Sequence, residues 1–87
     1  TELSELMAKA LAKNTVLERL ELVKCDLDKN DAILIAKALE VNQTLRVLNL
    51  QNNKITNEGA TAIAQSLRQN KSLTELNLLG QQQAGLR

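Results

Sequence analysis

The sequence predicts an α/β fold built by repetition: a right-handed solenoid in a short horseshoe arc, with a parallel sheet on the concave side and helices on the convex side. Three observations point there. A leucine comb recurs every 28 residues, as Leu17, Leu20, Leu22, then Leu45, Leu48, Leu50, then Leu73, Leu76, Leu78. Around each comb apolar and polar residues alternate, which is the period of a half-buried strand. Beyond it the apolar period lengthens to that of a helix, so each copy reads as strand, turn, helix and return loop. A strand joined through a helix to a parallel neighbour takes the right-handed crossover, and such a unit buries its apolar flank only against the next one.

Leu3, Leu6, Met7, Ala10 and Leu11 share one helical stripe and predict a helix over residues 3–13. The first strand follows, with Leu20 and Leu22 inward and Arg19, Glu21 and Val23 outward. Asp26, Asp28 and Asp31 then read as a solvated turn and helix start, because alternation with Lys29 and the lack of a Gly-rich turn exclude a calcium loop. Leu34, Ile35, Ala38 and Leu39 give the second helix, and Ala60, Ile63, Ala64 and Leu67 the third. Between and after them, Leu48, Leu50, Leu76 and Leu78 point inward, while Val47, Asn49, Gln51, Glu75, Asn77 and Leu79 point outward. Asn14, Asn42 and Asn70 sit just past each helical stripe, where a left-handed residue would close the helix.

The result is one domain over residues 1–87: a helix at 3–13, repeats at 14–41 and 42–69, and a final strand with an irregular tail at 70–87. In that tail Gln83 stands where Leu27 and Ile55 fill the buried turn, so Gln81-Gln82-Gln83 either leaves the stack or caps it crudely, with Leu86 folding back. The chain starts and stops in mid-unit, as a piece of a longer array does. Self-association through uncapped ends is the alternative.

Composition narrows the function. The chain is 44% hydrophobic yet has no Phe, Trp or Tyr, so an interface must work without the usual aromatic anchors. A net charge of +1 gives no footprint for nucleic acid or an anionic membrane, and single-strand stacking would need the missing rings. One cysteine, Cys25, allows no internal disulfide, which fits a reducing, cytoplasmic setting. No cofactor or catalytic constellation is visible.

The pattern Leu-x-x-Leu-x-Leu-x-x-(Cys/Asn)-x-(Leu/Ile), met in Leu17–Leu27 with Cys25 and in Leu45–Ile55 with Asn53, resembles leucine-rich repeats of the ribonuclease-inhibitor type over residues 3–79. The wording Asn42-Gln43-Thr44-Leu45-Arg46-Val47-Leu48-Asn49-Leu50 and Gly59-Ala60-Thr61-Ala62-Ile63-Ala64 is similar to repeats of NOD-like receptors and their relatives. The resemblance implies an intracellular recognition or scaffold array. It names no partner, because ribonuclease inhibitor, Ran GTPase-activating protein and the actin-capping tropomodulins share the repeat, and no functional residue of theirs has a matching motif here.

Cys25 reads as a small buried hydrophobe, since no His or second Cys completes a metal site. Asn53 reads as a structural amide satisfying backbone groups in the turn, worth about 1–3 kcal/mol. Asn42-Gln43-Thr44 and Asn70-Lys71-Ser72 match the glycosylation pattern, but their equivalent repeat positions explain them without sugar. Gly59 and Gly80 read as relief of backbone strain rather than a phosphate loop. The recognition surface is the outward strand face. Arg19, Val47 and Glu75 form one row, Glu21, Asn49 and Asn77 the next, and Val23, Gln51 and Leu79 a third, with Lys24 and Asn52 at the edge and Arg19 and Arg46 as anchors. The same face could be only a solvated sheet surface, three strands being a small platform.

Three functions fit this pattern. The first is a non-enzymatic protein-interaction or scaffold module using the concave face. The second is a GTPase-activating fragment of the Ran type, and the third a self-assembling structural unit.

Overall fold

The computed structural model describes residues 2–82, with side chains from Ser4 onward. The elements run α1 (Glu2–Lys13), β1 (Arg19–Glu21), α2 (Lys29–Val41), β2 (Val47–Asn49), α3 (Thr56–Ser66) and β3 (Glu75–Asn77). The strands form a parallel sheet in the order β1-β2-β3, with Leu20, Leu48 and Leu76 in one register row. The helices pack α1 on α2 and α2 on α3. The core lies between the two layers and is densest in the middle unit, where Ile35, Leu39, Leu45, Leu48, Leu50 and Ile55 are fully buried together with Ile63 of α3.

Helix stripes follow their neighbours rather than the apolar period alone. In α1 the buried face is Ser4, Ala8 and Leu11, which abut α2, while Ala10 is exposed and Leu6 is 65% exposed. The expected stripe is thus corrected at Leu6 and Ala10: among the described residues no unit packs on that side of α1. The Leu3 side chain lies outside the described residues. Leu67 and Ala64 are likewise exposed on the far flank of α3, whereas Ile35, Ala38 and Leu39 of the central α2 are buried as expected.

Two sets of side-chain amides stitch the units together. Asn42 Nδ2 donates to the carbonyls of Leu11 (2.8 Å) and Asn14 (2.9 Å), and Asn70 Nδ2 repeats this on Leu39 (2.9 Å) and Asn42 (2.7 Å). Their Oδ1 atoms accept the N–H groups of Leu45 (2.8 Å) and Leu73 (2.7 Å) at the start of each comb. The expected left-handed closure is therefore corrected: Asn42 has φ −70° and ψ 125°, and neither Asn14 nor Asn70 has positive φ. These asparagines are used for their amides. Because Asn42 and Asn70 are buried with both side-chain atoms engaged, neither is presented for glycosylation.

The left-handed positions lie elsewhere, and three of the five among the described residues are periodic, Asp26 (φ 59°) and Thr56 (φ 65°) being the exceptions. Lys24 (φ 57°), Asn52 (φ 61°) and Gly80 (φ 72°) occupy one place in successive units, just beyond each strand. Glycine meets that demand at the least cost, asparagine next and lysine least well. Gly59 has a different task from the strain relief expected of it, because its φ is not positive. A Cβ there would lie 2.6 Å from Ile55 Cγ2 and 2.9 Å from Ala32 Cβ, so its absence lets α3 settle on α2. Lys29 Nζ and Glu58 Oε1, 3.0 Å apart, bridge the starts of the same two helices.

Helix α2 opens with a capping box, in which Asp28 accepts from the Asp31 N–H (3.0 Å) and Asp31 accepts from the Asp28 N–H (2.9 Å). Asp31 is buried, which corrects its reading as part of a solvated turn. Burial opposes its ionisation, but hydrogen bonds from the Ser4 side chain and the Asp28 backbone outweigh that and hold its carboxyl below the ordinary 3.8. A depressed folded value means that the stability Asp31 contributes is complete above 3.8 and is lost as pH falls through the folded value. Asp31→Asn is expected to cost about 1 kcal/mol at pH 7 in urea unfolding, with the gap from wild type closing as pH is stepped down below the unfolded value. A gap constant down to pH ~2 would contradict this assignment.

Helix α3 has no equivalent box. Thr56 and Gly59 replace Asp28 and Asp31, Thr56 takes φ 65°, and its buried hydroxyl has no hydrogen-bond partner among the described residues. No helix among the described residues is long and apolar enough to cross a membrane.

Candidate functional site: the outward face of the sheet

The register sets the expected rows side by side. Arg19, Val47 and Glu75 align, as do Glu21, Asn49 and Asn77. Beyond the strands the ladder continues, with Leu22 N–H on Asn49 O (2.8 Å), Lys24 N–H on Gln51 O (3.1 Å), Leu50 N–H on Asn77 O (2.9 Å) and Asn52 N–H on Leu79 O (2.9 Å). These bonds place Val23, Gln51 and Leu79 abreast, with Lys24 and Asn52 at the exit rim. On the entry side Arg46 N–H bonds to Glu18 O (2.8 Å) and Thr74 N–H to Arg46 O (2.8 Å). The outward residues singled out from the sequence thus share one face and its two rims.

Their side chains differ in what they engage. Arg19 Nη1 lies 3.3 Å from Glu21 Oε2, and Arg46 Nε lies 3.9 Å from Glu18 Oε1. Both pairs are exposed and contribute little to stability. Asn49 Oδ1 accepts the Gln51 N–H and Asn77 Oδ1 accepts the Leu79 N–H, each at 3.0 Å, so both amides brace the strand exits. At the exit rim Lys54 Nζ meets Asp26 Oδ1 at 3.1 Å. Among the described residues no group of His, Cys, Asp or Glu could hold a metal ion.

Beneath it, the turn position read as Cys or Asn divides three ways. Asn53 behaves as expected: Oδ1 accepts from the N–H groups of Cys25 (2.9 Å) and Leu27 (3.1 Å), and Nδ2 donates to Leu22 O (2.7 Å) and Leu50 O (2.9 Å). Cys25 is exposed, which corrects its reading as a buried hydrophobe. The side chain at this position reaches toward the preceding unit, and for Cys25 no such unit lies among the described residues. Gln81, one unit after Asn53, docks in its place, with Nε2 donating to Leu50 O (2.7 Å) and Oε1 accepting the Ile55 N–H (3.1 Å). Gln81 therefore stays on the stack as the turn position of the third unit. Gln83 and Leu86 lie outside the described residues. Gln43 is a further bridge the sequence reading missed, donating to Gln69 O (3.1 Å) and accepting the Lys71 N–H (2.9 Å).

Parallel leucine combs backed by helices, joined by side-chain amides and presenting an open polar face, define a leucine-rich-repeat module. The chain belongs to the TMOD/LMOD leucine-rich domain family, whose profile it matches over residues 1–85. Among solved structures it is similar to one described as "Leiomodin-1 Actin-Binding Site 2 (ABS2)", at 39% identity and a TM-score of 0.88, covering 92% of this chain. The chain spans about half, 46%, of that solved chain. No curated protein sequence matches it. The leucine-rich-repeat resemblance is supported, whereas its narrower assignment to the ribonuclease-inhibitor type and NOD-like receptors is not. The family and the solved structure named here are of the tropomodulin and leiomodin type rather than the Ran GTPase-activating type.

Proposed function

We propose that this chain is an actin-binding module: one stretch of a right-handed leucine-rich-repeat solenoid that offers the concave, outward face of its sheet to actin. The observation that carries this is the 39% identity and 0.88 TM-score, over 92% of the chain, to a structure named as an actin-binding site. The surface is consistent with such a role, being mixed in charge and built on a braced backbone. An intracellular setting accompanies it. Three strands about 4.8 Å apart make a platform well below the ~800 Å² per partner of a standard interface. Binding by this stretch alone is therefore expected to be weak, with a Kd of about 1–100 μM.

The test is a fluorescence titration of labelled monomeric actin with the wild-type chain and with Arg19→Glu combined with Arg46→Glu. Reversing both exposed charges sets new carboxylates beside Glu18 and Glu21 and is expected to weaken binding at least about tenfold, with helix and sheet signals unchanged. Equal affinity in the double variant would exclude the part of the face that the two arginines occupy. No saturable binding by the wild type would exclude actin.

A further inference from the structure

The three rows of the outward face differ in what they hold in reserve. Arg19 and Arg46 already face Glu21 and Glu18, and the amide oxygens of Asn49 and Asn77 are spent on backbone N–H groups of the same chain. In the third row Val23 and Leu79 are 36% and 68% exposed, and Lys24 beside Val23 forms no ion pair among the described residues. The backbone under this row is fixed, because Lys24 N–H bonds to Gln51 O, Asn52 N–H to Leu79 O, and Leu79 N–H to Asn77 Oδ1. An exposed aliphatic side chain on a fixed backbone has little freedom left to lose on binding and most of its apolar surface still to bury. An arginine paired at an exposed surface only exchanges one partner for another.

We infer that, given the actin-binding function proposed above, Val23, Leu79 and Lys24 anchor the interface, and that they take an aliphatic side chain of actin flanked by a carboxylate. Leu79 supplies the apolar contact. Lys24, two strand spacings or roughly 10 Å across the sheet, meets the carboxylate. This assignment moves the anchor from the arginines to the exit rim, where aliphatic exposure and an unspent cation coincide.

The same titration with monomeric actin tests it through Leu79→Ser, Leu79→Met, Lys24→Glu and Arg19→Ala. Leu79→Ser and Lys24→Glu are expected to weaken binding about tenfold or more, while Leu79→Met and Arg19→Ala stay within about threefold of wild type. Circular dichroism checks that each variant folds, and Leu79, outside the core, leaves the fold intact when replaced. Leu79→Ser binding within about threefold of wild type would overturn the anchor and leave actin binding standing. Failure of the wild type to bind would overturn both.

Discussion

Asn53→Ala is expected to remove about 3 kcal/mol of folding stability. Asn53 ties two units at once: it takes the N–H groups of Cys25 and Leu27 from the first turn and gives its own amide hydrogens to the carbonyls of Leu22 and Leu50. Alanine satisfies none of these, and each buried group left without a partner costs about 1–3 kcal/mol. Against a total of roughly 4–13 kcal/mol for a chain of this size, that is a large share. At about 4 °C or more per kcal/mol, Tm should fall by at least ~12 °C. Guanidinium unfolding at pH 7 gives the free energy directly, and a loss below ~1 kcal/mol would show that water replaces the amide. The actin titration proposed for this chain, run well below Tm, should give the same result for Asn53→Ala as for wild type, because Asn53 is buried beneath the face.

Leu48→Ala should cost a further about 3–4 kcal/mol, whereas the same substitution at Leu20 or Leu76 should cost about half as much. All three leucines share one register row, so local sequence and strand geometry are matched and only the surroundings differ. Leu48 is covered on both sides and fully buried, while Leu20 and Leu76 at the flanks are half-buried. The transfer contribution scales with the apolar area kept from water, and the cavity contribution requires walls all round. Denaturant midpoints of the three variants provide the comparison. Three equal losses would mean that the sheet flanks are covered by something other than the described residues.

The sheet was legible in the sequence because its information is periodic. Leu20, Leu48 and Leu76, and the outward residues between them, are related by one fixed spacing, and parallel register follows once the unit is recognised. Asn53 was legible for the same reason. What the pattern could not carry was anything that depends on a neighbour being present. Leu6, Ala10 and Leu67 obey the helical apolar period yet are exposed, since burial at a flank depends on what lies beyond it. Cys25 fails likewise, being at the right position of a unit with no described unit before it. The asparagines at 42 and 70 were found by position but misread in mechanism, because an Asn past a helix is compatible with either a left-handed backbone or a side-chain bridge. The candidate face was assembled as expected, but its division into paired, braced and unspent side chains needed distances that no spacing supplies.

The docking of Gln81 where its predecessor has Asn53 says what that joint recognises. The glutamine is longer by one methylene, and its amide still reaches the same kind of carbonyl, Leu50 O at 2.7 Å against Leu22 O at 2.7 Å for Asn53. The joint selects a primary carboxamide and absorbs the extra carbon in the rotamer, so residue identity at this position is degenerate. Any scheme that counts such blocks by demanding Asn or Cys there will stop one short in chains that use Gln, and will misplace where the regular array gives way to whatever follows.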